Sequence, residues 1–200
     1  MITVVDYGMG NLRNVRRAFE AIGQEVFVTH DPSAVRSAHY LVLPGVGAFG
    51  EAAKRIDALG LREPLLDHVA RNKPLLGICL GMQLLFEKSE ESPGVTGLGI
   101  LPGEVVRFGK GVKVPHIGWN DARPVPGVGL LDGLPAEPCF YFVHSFYVPT
   151  SSFEAARTSY GVEFVSAVST PSVTAYQFHP EKSQTAGLEL LRRFVSGAGK

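Results

Sequence analysis

The segment Pro74–Glu87, PLLGICLGMQLLFE, places an apolar run directly before a cysteine that is flanked by glycines. The run Pro74–Ile78 predicts a strand that is buried on both faces, as in a parallel sheet. Gly-x-Cys-x-Gly is typical of a nucleophile elbow, a sharp turn into a helix that we expect to begin near Gly81. We therefore interpret Cys79 as a nucleophile at a helix N-terminus, where the partial positive charge favours the thiolate. A small buried residue between strand and helix is the alternative interpretation.

The chain before this segment alternates strand-like and helix-like patterns. This alternation predicts an α/β fold with a doubly wound, mostly parallel sheet and helices on both faces. Active sites in such sheets gather at the carboxyl ends of the strands. We expect strands at Ile2–Asp6, Glu25–Thr29 and Tyr40–Leu43, and helices that begin after Asn11, begin at Pro32, and span Gly50–Leu59 and Leu61–Arg71.

After Ser89 the chain is rich in glycine and proline, and its strand-like runs are short. We expect these runs to add mostly antiparallel strands to the same sheet, so that residues 1–200 form a single domain. A closing amphipathic helix is predicted at Thr185–Ser196. The additional strands are predicted at Gly103–Phe108, Val112–Ile117, Cys139–Val143, Phe164–Val168 and Val173–Phe178.

Charge and hydropathy argue against several classes of partner. The 19 basic and 19 acidic residues balance without a basic block, which disfavours binding to nucleic acid or to an anionic membrane. No apolar run approaches the ~20 residues of a membrane span, and the N-terminus lacks the layout of a signal peptide. Two cysteines, of which Cys139 lies in an apolar run, are consistent with free thiols in a cytoplasmic protein.

A cysteine nucleophile needs a base within hydrogen-bond reach, and the segment YQFHPEKS offers one. His179 follows a predicted strand, so we expect it to act as general base and acid, with Glu181 fixing its tautomer and stabilising the imidazolium. The alternative is a strand-ending turn with a solvated glutamate. We expect His30, His39 and His68 at the surface, since nothing around them indicates a site.

The glycine-rich segment Leu43–Gly50, LPGVGAFG, follows another predicted parallel strand. Backbone N–H groups there could donate to a tetrahedral oxyanion, with the N–H of Leu80 as the second donor. Such a loop could instead hold a phosphate, but no lysine follows at the spacing of a P-loop. DYGMGN, near the N-terminus, is only a weak match to a dinucleotide-binding loop.

GICLGMQ and QFHPE closely resemble the motifs of the class I glutamine amidotransferases, a family with a Cys-His-Glu triad. More narrowly, DYGMGN, LPGVGAFG, PHIGWN and FVHSF resemble the glutaminase subunits of imidazole glycerol phosphate synthases, which act in histidine biosynthesis. The resemblance extends from residue 2 to about residue 190, which is nearly the whole chain.

The resemblance implies that glutamine is hydrolysed to glutamate and ammonia through a γ-glutamyl thioester. Cys79 then attacks the amide carbon, His179 moves the proton and Glu181 orients His179. Gly47 and Leu80 supply the oxyanion-hole donors, and the loop around Gly47 has to reorient for productive geometry. The resemblance implies no cofactor and no metal.

Five residues are implied to contact the substrate glutamine. Gln83 binds its amino-acid end, and Glu91 contacts its ammonium. The segment His144, Ser145 and Phe146 holds its carboxylate, largely through the backbone. Tyrosine is common in the family where this chain has Phe146, a difference that matters little if the main chain makes the contact.

The implied partner is a (β/α)8-barrel cyclase subunit, which forms a heterodimer with the glutaminase and uses the ammonia. Because ammonia released into water is protonated, a sealed interface is chemically useful. Trp119 and Asn120 match the family's interface segment, and Lys182 matches a residue that pairs with an acidic group on the cyclase. The alternatives are a core position for Trp119 and a solvated Lys182.

The sequence leaves three rival functions open. One is the glutaminase of another amidotransferase, such as one that makes anthranilate or aminodeoxychorismate, against which PHIGWN and DYGMGN argue. Another is a cysteine hydrolase with a similar elbow, which QFHPE disfavours. The third is a glutaminase-like scaffold or regulator without activity, against which the complete triad argues.

Overall fold

A computed structural model of the chain describes residues 1–135 and 138–197. The helices and strands of this described part are numbered in chain order. The helices are α1 Leu12–Ala21, α2 Pro32–Ser37, α3 Phe49–Ala58, α4 Arg62–Ala70, α5 Leu80–Gln83 and α6 Gln184–Ser196. The strands are β1 Ile2–Val5, β2 Val26–Thr29, β3 Tyr40–Gly45, β4 Leu75–Cys79, β5 Lys88–Ser89, β6 Glu104–Arg107, β7 His116–Asp121, β8 Arg123–Pro124, β9 Cys139–His144, β10 Phe146–Tyr147, β11 Glu154–Ser159, β12 Glu163–Ser169 and β13 Val173–Tyr176.

Eight strands form the main sheet, in the order β2-β1-β3-β4-β13-β12-β11-β8. The five strands from β2 to β13 are parallel to their neighbours, and β12, β11 and β8 extend the sheet in antiparallel fashion. The predicted α/β class with a mostly parallel sheet is therefore confirmed. The predicted single domain of residues 1–200 also includes 136–137 and 198–200, which lie outside the described residues.

Helices cover both faces of this sheet, which is why its central strands are apolar throughout. One hydrophobic cluster contains Phe49 of α3 together with Leu75, and the other contains Phe19 of α1 together with Leu76. Since consecutive residues of a strand point to opposite faces, the neighbours Leu75 and Leu76 assign one cluster to each face. The carboxyl ends of β3 and β4 lie between these two layers.

Two of the predicted helix starts have the expected side-chain caps. The side chain of Asn11 accepts a hydrogen bond from the backbone N–H of Asn14, at 3.3 Å, before α1. The side chain of Asp31 accepts one from the N–H of Ser33, at 2.9 Å, and proline stands at the first position of α2. Short polar side chains at these positions satisfy N–H groups that the first helical turn leaves without partners.

The second half of the chain differs from the prediction of one extended sheet. Strands β10, β6 and β5 form a separate three-stranded sheet, and β7 pairs with β9 in a two-stranded ribbon. The predicted strands Gly103–Phe108 and Cys139–Val143 therefore lie outside the main sheet. The predicted strand Val112–Ile117 is wrong in position, because the observed strand His116–Asp121 begins directly after Pro115, which has no N–H to donate to a ladder.

Candidate active site

The turn after β4 has the geometry of a nucleophile elbow. Cys79 adopts φ 54° and ψ −108°, outside the regions that L residues favour. A Cβ at Gly81 would lie 1.8 Å from the carbonyl oxygen of Leu43, and one at Gly77 would meet its nearest neighbours at 3.0–3.1 Å. Close packing therefore excludes a Cβ at Gly81 and leaves little room for one at Gly77. Helix α5 begins at Leu80, one residue before the predicted start, and is only four residues long.

Cys79 faces a cavity of about 430 Å³ beside the carboxyl ends of β3 and β4. Its thiol donates to the carbonyl oxygen of Val143, and its sulfur accepts from the side-chain Nε2 of Gln177, both at 3.8 Å. Most of the residues that line this cavity are ones that the sequence singles out as site residues. They are Gly47, Cys79, Leu80, Gln83, Glu91, His144, Ser145, Phe146 and Lys182.

His179 and Glu181 form a buried pair next to Cys79. Nδ1 of His179 lies 2.8 Å from Oε1 of Glu181, and the two side chains are only 2% and 1% exposed. The 3-10 helix Pro180–Lys182 makes the turn that brings the carboxylate to the ring, and Ser183 Oγ donates to the His179 carbonyl at 2.6 Å. Within the described residues, Nε2 of His179 has no nitrogen or oxygen partner, and the ring interacts with the Cys79 sulfur, so this atom is left for proton transfer.

The charge state of His179 depends on its two neighbours. Burial by itself lowers the pKa of His179, but the Cys79 sulfur and the Glu181 carboxylate outweigh it and raise the pKa to about 10. The imidazolium is therefore the favoured form of His179. In such a pair the sulfur is nucleophilic and the ring already holds the proton that a leaving group needs.

The oxyanion loop, named here for its predicted role and defined as residues 44–48, lies beside the elbow because β3 and β4 are parallel neighbours. In their register Gly45 is paired with Cys79, which brings Gly47 and Leu80 to the same cavity. Gly47 has φ +107°, a backbone conformation that residues other than glycine rarely adopt. Val46, Gly47 and Ala48 are all exposed, so the middle of the loop is not packed against the protein.

Side chains hold the two ends of the oxyanion loop. The buried Tyr7 hydroxyl donates to the Pro44 carbonyl oxygen at 2.7 Å. After the loop, the N–H of Phe49 donates to Oε2 of Glu91 at 2.7 Å, and the next N–H donates to the Ser92 hydroxyl oxygen at 3.0 Å. The last two bonds cap helix α3, whose own N-cap residue makes no side-chain cap. The DYGMGN and 89–92 segments thus both support the loop.

The predicted substrate residues Gln83 and Glu91 both line the cavity and both make contacts within the protein. The two amide hydrogens of Gln83 are used, because Nε2 donates to the Phe146 carbonyl and to Oε1 of Gln177, each at 3.0 Å. Glu91 uses one carboxylate oxygen to cap α3. Each therefore has an oxygen left for a ligand, and their roles toward glutamine stay predictions.

His144 lines the cavity, but its ring is turned into the protein. Nδ1 donates to the Phe146 carbonyl at 2.8 Å, and Nε2 lies 3.0 Å from Nδ1 of His116. Burial lowers the pKa of His144 to about 3 and that of His116 to about 4, so both rings are neutral. The His144 ring is therefore engaged within the protein, and the contact of the segment 144–146 with the substrate carboxylate through its backbone stays a prediction.

The three predicted interface residues are placed differently from one another. Trp119 is 49% exposed on β7, which rules out the core alternative for it. The Asn120 amide instead turns inward, since Nδ2 lies 3.2 Å from Nε2 of His116 and donates to the Ser159 carbonyl at 3.0 Å. Lys182 lines the cavity and places its ammonium 5.5 Å from the centre of the Tyr141 ring.

Three residues near the site are ones that the sequence analysis did not assign. Gln177 contacts the nucleophile, His116 contacts His144, and Tyr7 holds the oxyanion loop. The available signal was a polar side chain inside an apolar run, as for Gln177 between Tyr and Phe. Buried polar groups need hydrogen-bond partners, so such a position indicates a specific contact without naming it.

Residues 1–135 and 138–197 contain neither a metal-binding cluster nor a membrane-spanning helix. No group of three or more His, Cys, Asp or Glu side chains there could hold a metal ion. None of the helices in that part is long and apolar enough to cross a membrane. Both cysteines are free, Cys79 being buried and Cys139 exposed.

Comparisons with known proteins agree on one family. Residues 3–198 match the family model described as Glutamine amidotransferase class-I. The imidazole glycerol phosphate synthase subunit HisH of Methanothermobacter thermautotrophicus is 52% identical over 196 residues, covering 98% of each chain. The HisH subunit of Aquifex aeolicus is 50% identical over 200 residues, covering 98% of this chain and 97% of its own. A crystal structure of a glutamine amidotransferase has the same fold, with a TM-score of 0.78 and 22% identity over 100% of both chains.

The family match spans the elbow and the His-Glu pair, and the two relatives align over nearly their whole length. The chain therefore belongs to the class-I glutamine amidotransferases, and within them to the HisH subunits of imidazole glycerol phosphate synthase.

Proposed function

We propose that this chain is the glutaminase subunit of an imidazole glycerol phosphate synthase. It hydrolyses L-glutamine to glutamate and ammonia, and it delivers the ammonia to a cyclase subunit in histidine biosynthesis. The observation that carries the proposal is that Cys79 and the predicted substrate residues line one cavity of about 430 Å³, with the buried His179–Glu181 pair next to the Cys79 sulfur. The two free cysteines are consistent with a reducing compartment, and we place the reaction in the cytoplasm.

In the first half of the reaction, the Cys79 thiolate attacks the side-chain amide carbon of glutamine. The electron pair of the C=O bond moves to its oxygen, which becomes the oxyanion of a tetrahedral intermediate. When this intermediate collapses, Nε2 of His179 gives its proton to the leaving nitrogen, the C–N bond breaks and ammonia departs. The product on the protein is the γ-glutamyl thioester, and His179 is then neutral.

In the second half, water attacks the thioester carbon while Nε2 of His179 takes one of its protons. The second tetrahedral intermediate collapses by breaking the C–S bond, which releases glutamate and restores the thiolate and the imidazolium. Glu181 keeps the proton of His179 on Nδ1 when the ring is neutral and stabilises the imidazolium when it is charged. The same ring thus serves as acid first and as base afterwards.

The oxyanion of both intermediates needs N–H donors close to the developing charge. We assign these donors to the backbone of Leu80, directly after the nucleophile, and to that of Gly47 in the oxyanion loop. The ammonium of the substrate is bound by the oxygens of Glu91 and Gln83. Its carboxylate is bound by the backbone of His144, Ser145 and Phe146.

The partner is a (β/α)8-barrel cyclase, which docks as a heterodimer over the mouth of the cavity. Lys182 lines the cavity, and the exposed Trp119 contacts Tyr141, the ring over which the Lys182 ammonium lies. The Asn120 amide ties β7 to β11 rather than facing the partner. A closed interface keeps the ammonia unprotonated until the cyclase uses it. The resemblance and the exposed oxyanion loop support low basal activity that rises when the liganded cyclase docks.

The experiment that tests this proposal measures glutamate release from glutamine by the chain alone and with a cyclase subunit plus its nucleotide ligand. We expect release that appears or rises steeply only in the complex. Strong release that is the same with and without the cyclase would support the catalytic triad but indicate another amidotransferase. No release in either case would support the scaffold without activity.

A second experiment separates chemistry from docking. In the complex, Cys79→Ala is expected to abolish glutamine-dependent synthesis and to leave ammonia-dependent synthesis by the cyclase intact. Thr174→Val, a buried substitution of similar size on β13, serves as the control and is expected to retain both activities. Loss of both activities in Cys79→Ala would assign Cys79 to folding or docking instead.

A further inference from the structure

The side chain of Gln177 contacts the sulfur of Cys79, although it is no part of the triad. Gln177 is fully buried, and it lies directly after β13 and two residues before His179. Its Nε2 donates to the Cys79 sulfur at 3.8 Å, and its Oε1 accepts a hydrogen bond from Nε2 of Gln83 at 3.0 Å. Both ends of this buried amide therefore have a partner.

A backbone carbonyl fixes which way the Gln177 amide points. Nε2 of Gln83 also donates to the Phe146 carbonyl oxygen, at 3.0 Å. Because a carbonyl oxygen only accepts hydrogen bonds, the NH2 group of Gln83 has to face it, and the same group then faces Oε1 of Gln177. A reversed Gln177 would set two NH2 groups against each other and an oxygen against the sulfur.

One neutral histidine, His144, bonds the same Phe146 carbonyl, and a second one, His116, bonds His144. His144 donates to it through Nδ1 at 2.8 Å, so the Nε2 atom of His144 accepts from Nδ1 of His116 at 3.0 Å. Nε2 of His116 in turn accepts from the Asn120 amide at 3.2 Å. Because burial lowers the pKa of both rings, this set of donors and acceptors keeps one direction at neutral pH.

We propose that Gln177 is a positioning residue for the nucleophile, which donates an N–H to the Cys79 sulfur and holds the thiolate toward the cavity. The proposal deepens the proposed function and rests on it, since it takes Cys79 as the nucleophile. A thiolate only accepts hydrogen bonds, so a donor aimed at it favours the ionised form. Because Gln83 and Phe146 fix this donor in advance, no reorganisation is needed when the sulfur ionises.

The same arrangement specifies what Gln83 can offer to a substrate. Both of its amide hydrogens are used within the protein, which leaves only its oxygen for a ligand. An oxygen accepts from an ammonium group and repels a carboxylate. Gln83 therefore contributes to binding the ammonium of the substrate, and its carboxylate is bound elsewhere.

The test uses Gln177→Met in the full chain, because methionine has a similar volume and no N–H. In the complex with the cyclase we expect kcat for glutamine hydrolysis to fall about tenfold to a hundredfold, the loss of a hydrogen bond to a charged group. The KM for glutamine should change much less than kcat, since the Phe146 carbonyl still holds the amide of Gln83. In the free chain, the pH midpoint for alkylation of Cys79 by iodoacetamide should rise.

Gln177→Glu provides a second variant of nearly the same shape. Its carboxylate cannot donate and opposes the thiolate, so it should raise the alkylation midpoint further than Gln177→Met does. Thr174→Val, on the strand that precedes Gln177 and buried without a described hydrogen bond to the sulfur, is the matched control and should leave the midpoint unchanged. If one of the two Gln177 variants fails to fold, the other still gives the alkylation midpoint of Cys79.

A folded Gln177→Met or Gln177→Glu protein with the alkylation profile of the unsubstituted chain would overturn the proposal. Reduced stability with an unchanged profile would do the same, because it assigns Gln177 a purely structural role. Alkylation requires no glutamine turnover. A chain whose Cys79 midpoint shifts as expected but that never releases glutamate would therefore contradict the proposed function separately.

Discussion

Two neighbouring turns hold the two parts of the proposed catalytic machinery, and they are built differently. Every residue from 75 to 86, around the elbow, is buried, and a Cβ at Gly81 would overlap a backbone oxygen. The oxyanion loop, which follows the adjacent parallel strand, is exposed at Val46, Gly47 and Ala48 and is held only at its ends. The elbow is thus fixed by packing along its whole length, whereas the loop is fixed at two points.

The difference assigns separate tasks to the two turns. The strained backbone of Cys79 persists because close packing on both sides over-determines it, so the proposed nucleophile is held in position by the chain itself. Oxyanion donors are often the largest single contribution to acyl-transfer catalysis. In the proposed function one of these donors, Gly47, lies on a segment that is held only at its ends, and a docked partner that repositions it would explain the proposed dependence of activity on the cyclase.

The largest effect we predict is on folding, from Gly81→Ala. The added Cβ would lie 1.8 Å from the Leu43 oxygen, and neither backbone can move without disturbing β3 or β4. We expect the free energy of unfolding, measured with urea, to fall by roughly 3 kcal/mol or more. Gly109→Ala, where the Cβ meets nothing within 4 Å, is the control and should stay within about 0.5 kcal/mol of the unsubstituted chain.

Gly47→Ala should affect activity much more than stability, and it tests the contrast directly. The positive φ of Gly47 disfavours alanine, but the exposed loop can relax, and the only close atom is the flexible end of Met9. We expect the free energy of unfolding to change by about 1 kcal/mol. Because the donor is displaced, kcat in the complex should fall about a hundredfold. A loss of stability as large as that of Gly81→Ala would show that the loop is packed as tightly as the elbow.

Acidification should weaken the elbow side of the site. His116 and His144 have folded-state pKa values of about 4 and about 3, lowered by burial, whereas histidines in the unfolded chain titrate near ~6.5. The unfolded state therefore binds more protons below about pH 6.5, and stability falls as the pH drops from there toward the folded-state values.

Urea unfolding at pH 7 and at pH 5 measures this loss. His144→Asn keeps an N–H donor for the Phe146 carbonyl and removes one titrating group. It should therefore reduce the difference between the free energies of unfolding at pH 7 and at pH 5. His39→Asn, at an exposed position, is the control and should leave the difference unchanged. The same difference in all three proteins would show that the buried histidines do not control the acid response.

The smallest effect should come from Tyr7→Phe, which removes one end of the support for the oxyanion loop. The hydroxyl donates to the Pro44 carbonyl at 2.7 Å, and phenylalanine fills the same space without it. We expect the free energy of unfolding to fall by about 1 kcal/mol, the net value of one hydrogen bond. In kinetic assays of the complex, kcat should fall several-fold with KM little changed. A proportional rise in KM would assign Tyr7 to substrate binding instead.

The sequence predicted those parts of the site that depend on residues close together in the chain. The elbow is defined by glycines two residues on either side of Cys79, and Glu181 reaches His179 across a single proline. In each case a short segment contains both the side chain and the turn that orients it. The convergence of these segments on one cavity followed from the rule that parallel strands present their carboxyl ends together.

The parts that the sequence did not predict depend on contacts between distant residues. Gln177 and Cys79 meet only because β13 and β4 are neighbours in a particular register. His68, which we expected at the surface, is fully buried and hydrogen-bonded through Nε2 to the Pro74 carbonyl at 3.0 Å. A histidine on a helix fits water or a buried carbonyl equally well, so its own neighbours in the chain do not distinguish the two.

The strands of the second half show the same limit. Strand β11, Glu154–Ser159, was not predicted, because glutamate, alanine, arginine and serine have little strand propensity. It forms because β12 and β8 pair with it on both sides. Pairing with neighbouring strands overrides the low strand propensity of these residues. The pattern of a single sequence does not show which strands will pair.

The measurement that tests the central claim most directly is site-resolved alkylation of the two cysteines by iodoacetamide at pH 6, in the free chain, alongside glutamate release. Cys139 is exposed, but partial desolvation and the nearby Asp121 raise the pKa of its thiol. Cys139 should therefore react slowly at pH 6. Cys79, held beside the imidazolium of His179, should react faster than Cys139 even though glutamate release is slow until the liganded cyclase is added. Cys79 reacting no faster than Cys139 in the free chain would contradict a nucleophile that is in place before the partner binds.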